Sequence, residues 1–114
     1  MYEENKILCV SNAYEKKYYL NEEFNGLPDS VKDELKIMCV LFTEEVGGLL
    51  TLEYDEDGNL LIKTETNEGD LLYDDISCGL LMKRIQNEKQ ELSASLELFY
   101  KVFFLGQEEI LSEE

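Results

Sequence analysis

The strongest pattern in the chain is a 3.6-residue rhythm between Val31 and Val46. Val31, Leu35, Met38, Cys39, Phe42 and Val46 recur at steps of three, four or seven, which stack on one side of an α-helix. Ile37, Val40 and Leu41 widen that apolar face, so the spacing predicts a central, largely buried helix. Pro28 and Asp29 suit its first turn: proline lacks a donor that would go unpaired there, and a carboxylate complements the positive end of the helix dipole. Ser30 and Asp33 add polar groups at the same end, and Gly47-Gly48 supplies a residue free to take positive φ at the stop.

The segments on either side alternate instead. Leu49 to Tyr54 and Leu60 to Thr66 flank Asp55-Glu56-Asp57-Gly58-Asn59, and Leu52, Tyr54, Leu60 and Ile62 follow a period of two. Asp57-Gly58 brings the turn chemistry that makes this a β-hairpin. Lys6 to Asn12 and Lys16 to Asn21 read as an earlier hairpin around a short polar stretch. In a competing reading Asn12 caps one or two helical turns, with Glu15 three residues on and Tyr14 and Tyr18 on one helical face.

After a loop at Asn67 to Asp70, Leu71-Leu72-Tyr73 is either a short fifth strand or the approach to the last helix. Ile76, Leu80, Leu81, Ile85, Leu92, Leu96, Phe99 and Phe103 then keep helical spacing up to Leu105, with Gly106 as the stop. A single helix of about 30 residues would be about 45 Å long, against a radius of gyration of about 13 Å for a domain of this size. Gln86 to Glu91 contains no apolar residue, so the helix either protrudes there or breaks. A protruding distal half with Leu92, Leu96, Phe99 and Phe103 exposed would want a second copy, which makes a homodimer through the C-terminal helix the expectation. Residues 1–106 are expected to form a single α+β domain, and 107–114 a disordered acidic tail.

The order is thus ββαββα, an antiparallel sheet with helices packed on it. Composition changes the functional picture more than the structural one. The chain has 114 residues and a net charge of −16, from 26 acidic and 10 basic side chains. Such a field repels phosphate backbones and anionic headgroups, so neither nucleic acid nor membrane is expected as a partner. The acidic start, Met1-Tyr2-Glu3-Glu4, and the lack of a long apolar run point to a cytoplasmic protein. Cys9, Cys39 and Cys78 sit in apolar segments without paired spacing, as reduced core residues do.

Candidate chemistry is sparse. Histidine is absent and Arg84 is the only arginine, which removes the commonest general base, most nucleophile–base pairs and multi-arginine clamps. Arg84 reads as a surface partner for Glu88. Asp55, Asp57 and Asn59 echo the start of a calcium loop, but Leu60 stands where that loop needs glycine. Glu22-Glu23, Glu44-Glu45 and Asp74-Asp75 read as solvated acids, and Gly47-Gly48 lacks phosphate-loop spacing. No catalytic residue, cofactor or metal is expected. Tyr14, Lys16, Lys17, Tyr18 and Tyr19 form the one place where aromatic and basic residues interleave, a candidate interaction surface beside the C-terminal helix.

Asn12 to Leu27 and Val31 to Gly48, with similarity running through Phe104, resemble an uncharacterised family of small acidic proteins from Clostridia-type Gram-positive bacteria. The resemblance implies a bacterial cytosolic setting and no activity, cofactor or site. A non-enzymatic interaction or scaffolding protein with an unknown protein partner is the leading expectation. The alternatives are an acidic inhibitor or immunity-type protein that binds a basic enzyme such as a nuclease, and a small-ligand binder.

Overall fold

The computed structural model describes residues 5–67, 69 and 75–106, and in it the two expected hairpins join edge to edge. Strands β1 (Lys6–Asn12) and β2 (Lys17–Leu20) make the first, β3 (Leu49–Tyr54) and β4 (Leu60–Glu65) the second, in the antiparallel order β2-β1-β3-β4. Since β2 and β3 both flank β1, they run parallel to each other, and their connection must cross over β1. That connection carries a turn of 3-10 helix (Glu22–Phe24) and helix α1 (Asp29–Val46).

Register fixes which side chains α1 covers, because a slip of one residue would invert every strand. Cys9 lies opposite Leu20 and Leu52, and Ser11 opposite Tyr18 and Leu50. Cys9, Ser11, Leu50 and Leu52 are all buried, so this is the helix-facing side. The other side carries the row Tyr19, Val10, Thr51 and Lys63. A shift in pairing between Ile7 and Cys9 lets both Leu8 and Cys9 be buried, which strict alternation would forbid.

The first hairpin also contains the cap considered for Asn12. Its side-chain oxygen accepts the backbone N–H of Tyr14 at 2.9 Å and of Glu15 at 3.1 Å, within a turn that ends on Lys16 at φ 56°. At the second hairpin Asp55 does the equivalent work: its carboxylate accepts the N–H groups of Asp57 and Asn59, both at 2.9 Å. These bonds hold the Asp55 carboxyl below its usual range, the backbone of Asn59 foremost. Gly58, at φ 89°, takes a conformation that strains any other residue, and an added Cβ would also press on Lys101 Cγ at 3.0 Å.

Helix α1 ends as its sequence predicts, on Gly47 at φ 88°, whose N–H donates to Thr43 O at 2.8 Å. The last helix does not run on. It breaks at Lys89 (φ −113°, ψ 30°) into α2 (Asp75–Glu88) and α3 (Gln90–Phe103). Neither glycine nor proline marks the break, so packing imposes it. Beyond it Leu92, Leu96 and Tyr100 are buried in the core, where Tyr54 of β3 meets both Leu96 and Tyr100. The expected fifth strand at Leu71 to Tyr73 and the tail 107–114 lie outside the described residues.

An aromatic cluster fastens α3. Tyr54 stacks on Tyr100 with centroids 4.2 Å apart, Phe104 on Phe24 at 4.8 Å and on Tyr100 at 5.0 Å. The Tyr54 hydroxyl donates to Leu96 O at 2.9 Å, which satisfies a polar group inside an apolar layer. Phe24→Ala should lower stability by about 3–5 kcal/mol and Tyr54→Phe by only about 1 kcal/mol, as read from urea unfolding.

On β3 the buried Glu53 meets Lys63 at 2.8 Å and accepts from Asn5 at 2.6 Å. Burial alone would raise its carboxyl, but Lys63 and Asn5 outweigh that and hold it below the ordinary value. A lowered folded-state value stabilises at and above the ordinary carboxylate range and is lost as pH falls through it. Lys63→Met should therefore destabilise at neutral pH, and its deficit against the parent should shrink at acid pH, below the ordinary carboxylate range, as Glu53 takes up a proton. Urea midpoints at the two pH values check this.

Candidate functional site

Helix α1 is less buried than its pattern predicts. Leu35, Cys39, Phe42 and Val46 are sequestered, whereas Ile37 and Leu41 are each 58% exposed. At about 100° per residue Ile37 comes about 200° round from Leu35, on the opposite side of the helix from the sheet. The expectation that Ile37 and Leu41 widen the buried face is therefore corrected.

Helix α2 lies along α1 with Ile85 buried and Cys78, Leu81 and Met82 packed on the core. It leaves an open groove of about 970 Å³ between the two helices. Met38, Phe42, Leu81 and Ile85 line it with apolar surface that is buried or partly buried, and Ile37 and Leu41 stand along its α1 wall. Asp33, Glu34, Glu44, Glu45 and Glu88 supply five carboxylates around it, against Arg84 and Lys89. Lys89 is engaged with Glu34 at 3.2 Å, a contact that also ties the α2–α3 break to α1. Arg84 and Glu88, expected as surface partners, both line the groove.

A second cleft of about 700 Å³ lies between the β1–β2 turn and α1. Lys16, Lys17 and Lys36 line it with Glu44 and Glu45, so its charges nearly balance. Beneath it Ser11 and Thr43 share a hydrogen bond of 2.8 Å that links β1 to α1. Deeper still, the Cys9 and Cys39 sulfurs are 3.8 Å apart. The neighbouring Cys9 and burial both push the Cys39 thiol up, so it stays protonated at neutral pH and is silent as a nucleophile. The Tyr18 hydroxyl is sequestered without a hydrogen-bond partner beside Cys9, and burial followed by the two cysteines raises it as well. These groups read as core polarity, and none of Cys9, Cys39 and Cys78 is in a disulfide.

The structure scatters the tyrosine–lysine segment. Tyr14 is committed to the fold: its hydroxyl accepts the N–H of Asn67 at 2.8 Å and lies 3.3 Å from Thr66 Oγ1. Tyr18 turns towards the core, Tyr19 stands 53% exposed on the opposite sheet face, and Lys16 and Lys17 are exposed at the turn. In the C-terminal helix Leu92 and Leu96 are core residues of their own chain and are unavailable to a second copy. The break that places them there removes the premise of a protruding helix. Phe99 is partly buried, and Phe103, 4.6 Å from its ring, is 68% exposed.

Among the described residues no group of acids and cysteines is arranged to hold a metal ion. Nor is any helix among them long and apolar enough to cross a membrane. The chain belongs to a family of unknown function (DUF6145), whose model matches residues 5–108. No curated protein and no solved structure matches it.

If Ile37 and Leu41 face solvent in the free protein, Ile37→Gln and Leu41→Gln should each change stability by no more than about 0.5 kcal/mol, whereas Leu35→Ala should cost about 2–5 kcal/mol. Urea unfolding of the three variants separates the two sides of α1.

Proposed function

For this member of a family of unknown function, we propose a non-enzymatic protein-interaction module that receives its partner in the α1/α2 groove. The observation that carries the reading is the pair Ile37 and Leu41, one helical turn apart and each 58% exposed beside an apolar floor. Isolated exposed leucines are ordinary, but apolar side chains gathered along a groove and edged by carboxylates are what a docking site needs. Composition favours the same side: with no histidine and one arginine, the chain has little equipment for common catalysis.

A bacterial, cytoplasmic setting belongs to the same proposal, supported by three cysteines that are not in disulfides, as suits a reducing compartment. An acidic inhibitor of a basic enzyme is the second reading, favoured by the five carboxylates around the groove. A homodimer through α3 is not part of the proposal, since Leu92 and Leu96 are spent on the chain's own core.

The test is a photo-crosslinking amino acid placed at Leu41, and at Glu65 as a control, in cells that naturally make the protein. A discrete protein adduct that forms from Leu41 and not from Glu65 is the expected result. An adduct whose enzymatic activity the purified chain abolishes selects the inhibitor reading. Equal labelling from both positions, or none from Leu41, removes the groove as the docking surface.

A further inference from the structure

Resting on the reading of the α1/α2 groove as a docking surface, we infer that its occupant is a cationic amphipathic helix of about four turns, from a protein other than this one. The length comes from α1. Its groove-lining residues run from Ser30 to Glu45, which spans about 22 Å at 1.5 Å per residue, or about 15 residues of an opposing helix. Two helices form the walls, and a third helix laid between them can bury an apolar stripe on Met38, Leu41 and Leu81 as in a small bundle.

The charge comes from the order of residues along that wall. Asp33 and Glu34 precede Ile37, and Glu44 and Glu45 follow Leu41, so the exposed apolar pair is bracketed by acids one turn away on either side. Beyond the α2–α3 break a smaller hollow of about 390 Å³ shares Glu34, Glu88 and Lys89 with the groove and adds Glu91. Of the two cations in the groove, Lys89 is already engaged with Glu34.

A second copy of the chain would bring the same acidic rim, and a net charge of −16, against this one. A segment with lysine or arginine flanking an apolar stripe meets no such cost. The rim carboxylates then set encounter rate and partner choice, while the apolar floor holds the complex.

Three labelled synthetic peptides of about 15 residues test this by fluorescence anisotropy at about 0.15 M salt. The first has leucines at helical spacing with lysines elsewhere, the second is the same composition scrambled, and the third keeps the leucines but replaces lysine by glutamate. The first should bind at least about tenfold tighter than the others. Ile37→Gln with Leu41→Gln should weaken it about tenfold or more, and Glu44→Gln with Glu45→Gln should weaken it and flatten its salt dependence. Glu65→Gln, on the opposite sheet face, should leave it unchanged.

Equal binding of the scrambled peptide would show a general field effect and overturn the inference, as would failure of all three to bind. Tightest binding by the glutamate peptide, still sensitive to Ile37→Gln, would overturn the cationic occupant and leave the groove as a docking surface. Peptide binding insensitive to Ile37→Gln with Leu41→Gln would remove the groove reading itself.

Discussion

The stacking of Tyr54 on Tyr100, with Phe24 and Phe104 closing the cluster, is the contact on which the rest of the arrangement depends. Tyr54 ends a central strand, Phe24 sits in the turn that leads to α1, Tyr100 lies in the last turn of α3 and Phe104 directly follows that helix. Holding them together draws α3 onto the sheet beside β4. On the other side of the break at Lys89, α2 packs against α1, and the space these two helices leave between them is the groove.

Charge is organised on top of this packing. Lys6, Lys32, Lys63 and Lys89 are taken up in ion pairs with Glu23, Asp29, Glu53 and Glu34. With 26 acids against 10 bases, these pairs leave most carboxylates without a lysine, and the excess is what the groove displays. Apart from Lys63–Glu53, whose carboxylate is buried, these are surface pairs that contribute little stability each, so the excess acidity is better understood as setting what the surface will accept than as holding the fold.

Much of the architecture was legible in the residues because periodicity and turn chemistry are local. Both hairpins, the start of α1 after Pro28 and its stop at Gly47 follow from spacing and from the few residues that tolerate such backbone. What was not legible depended on tertiary packing. Leu92 and Leu96 carry helical spacing whether they face a partner or their own sheet, and only the aromatic cluster decides. The tyrosines of the first hairpin share a sequence neighbourhood and not a surface, since alternate residues of a strand point apart. Ile37 and Leu41 were recoverable: the angle between Leu35 and Ile37 already places them away from the buried face. Read as part of a broad apolar helix, they lost the signal that they stand out on its far side.

The two walls of the groove are not equally anchored. Helix α1 lies across β1 and β3, clamped by the Ser11–Thr43 hydrogen bond and by the buried apolar side chains Leu35, Cys39, Phe42 and Val46, whereas α2 rests chiefly on α1 and α3. Elements with few ties to the main core open at lower free energy than those seated on it. The groove is therefore one fixed jaw and one compliant one. A change in its width would come through the α2 side with the sheet register untouched, and the cost of closing on the proposed occupant would fall on a single 14-residue helix.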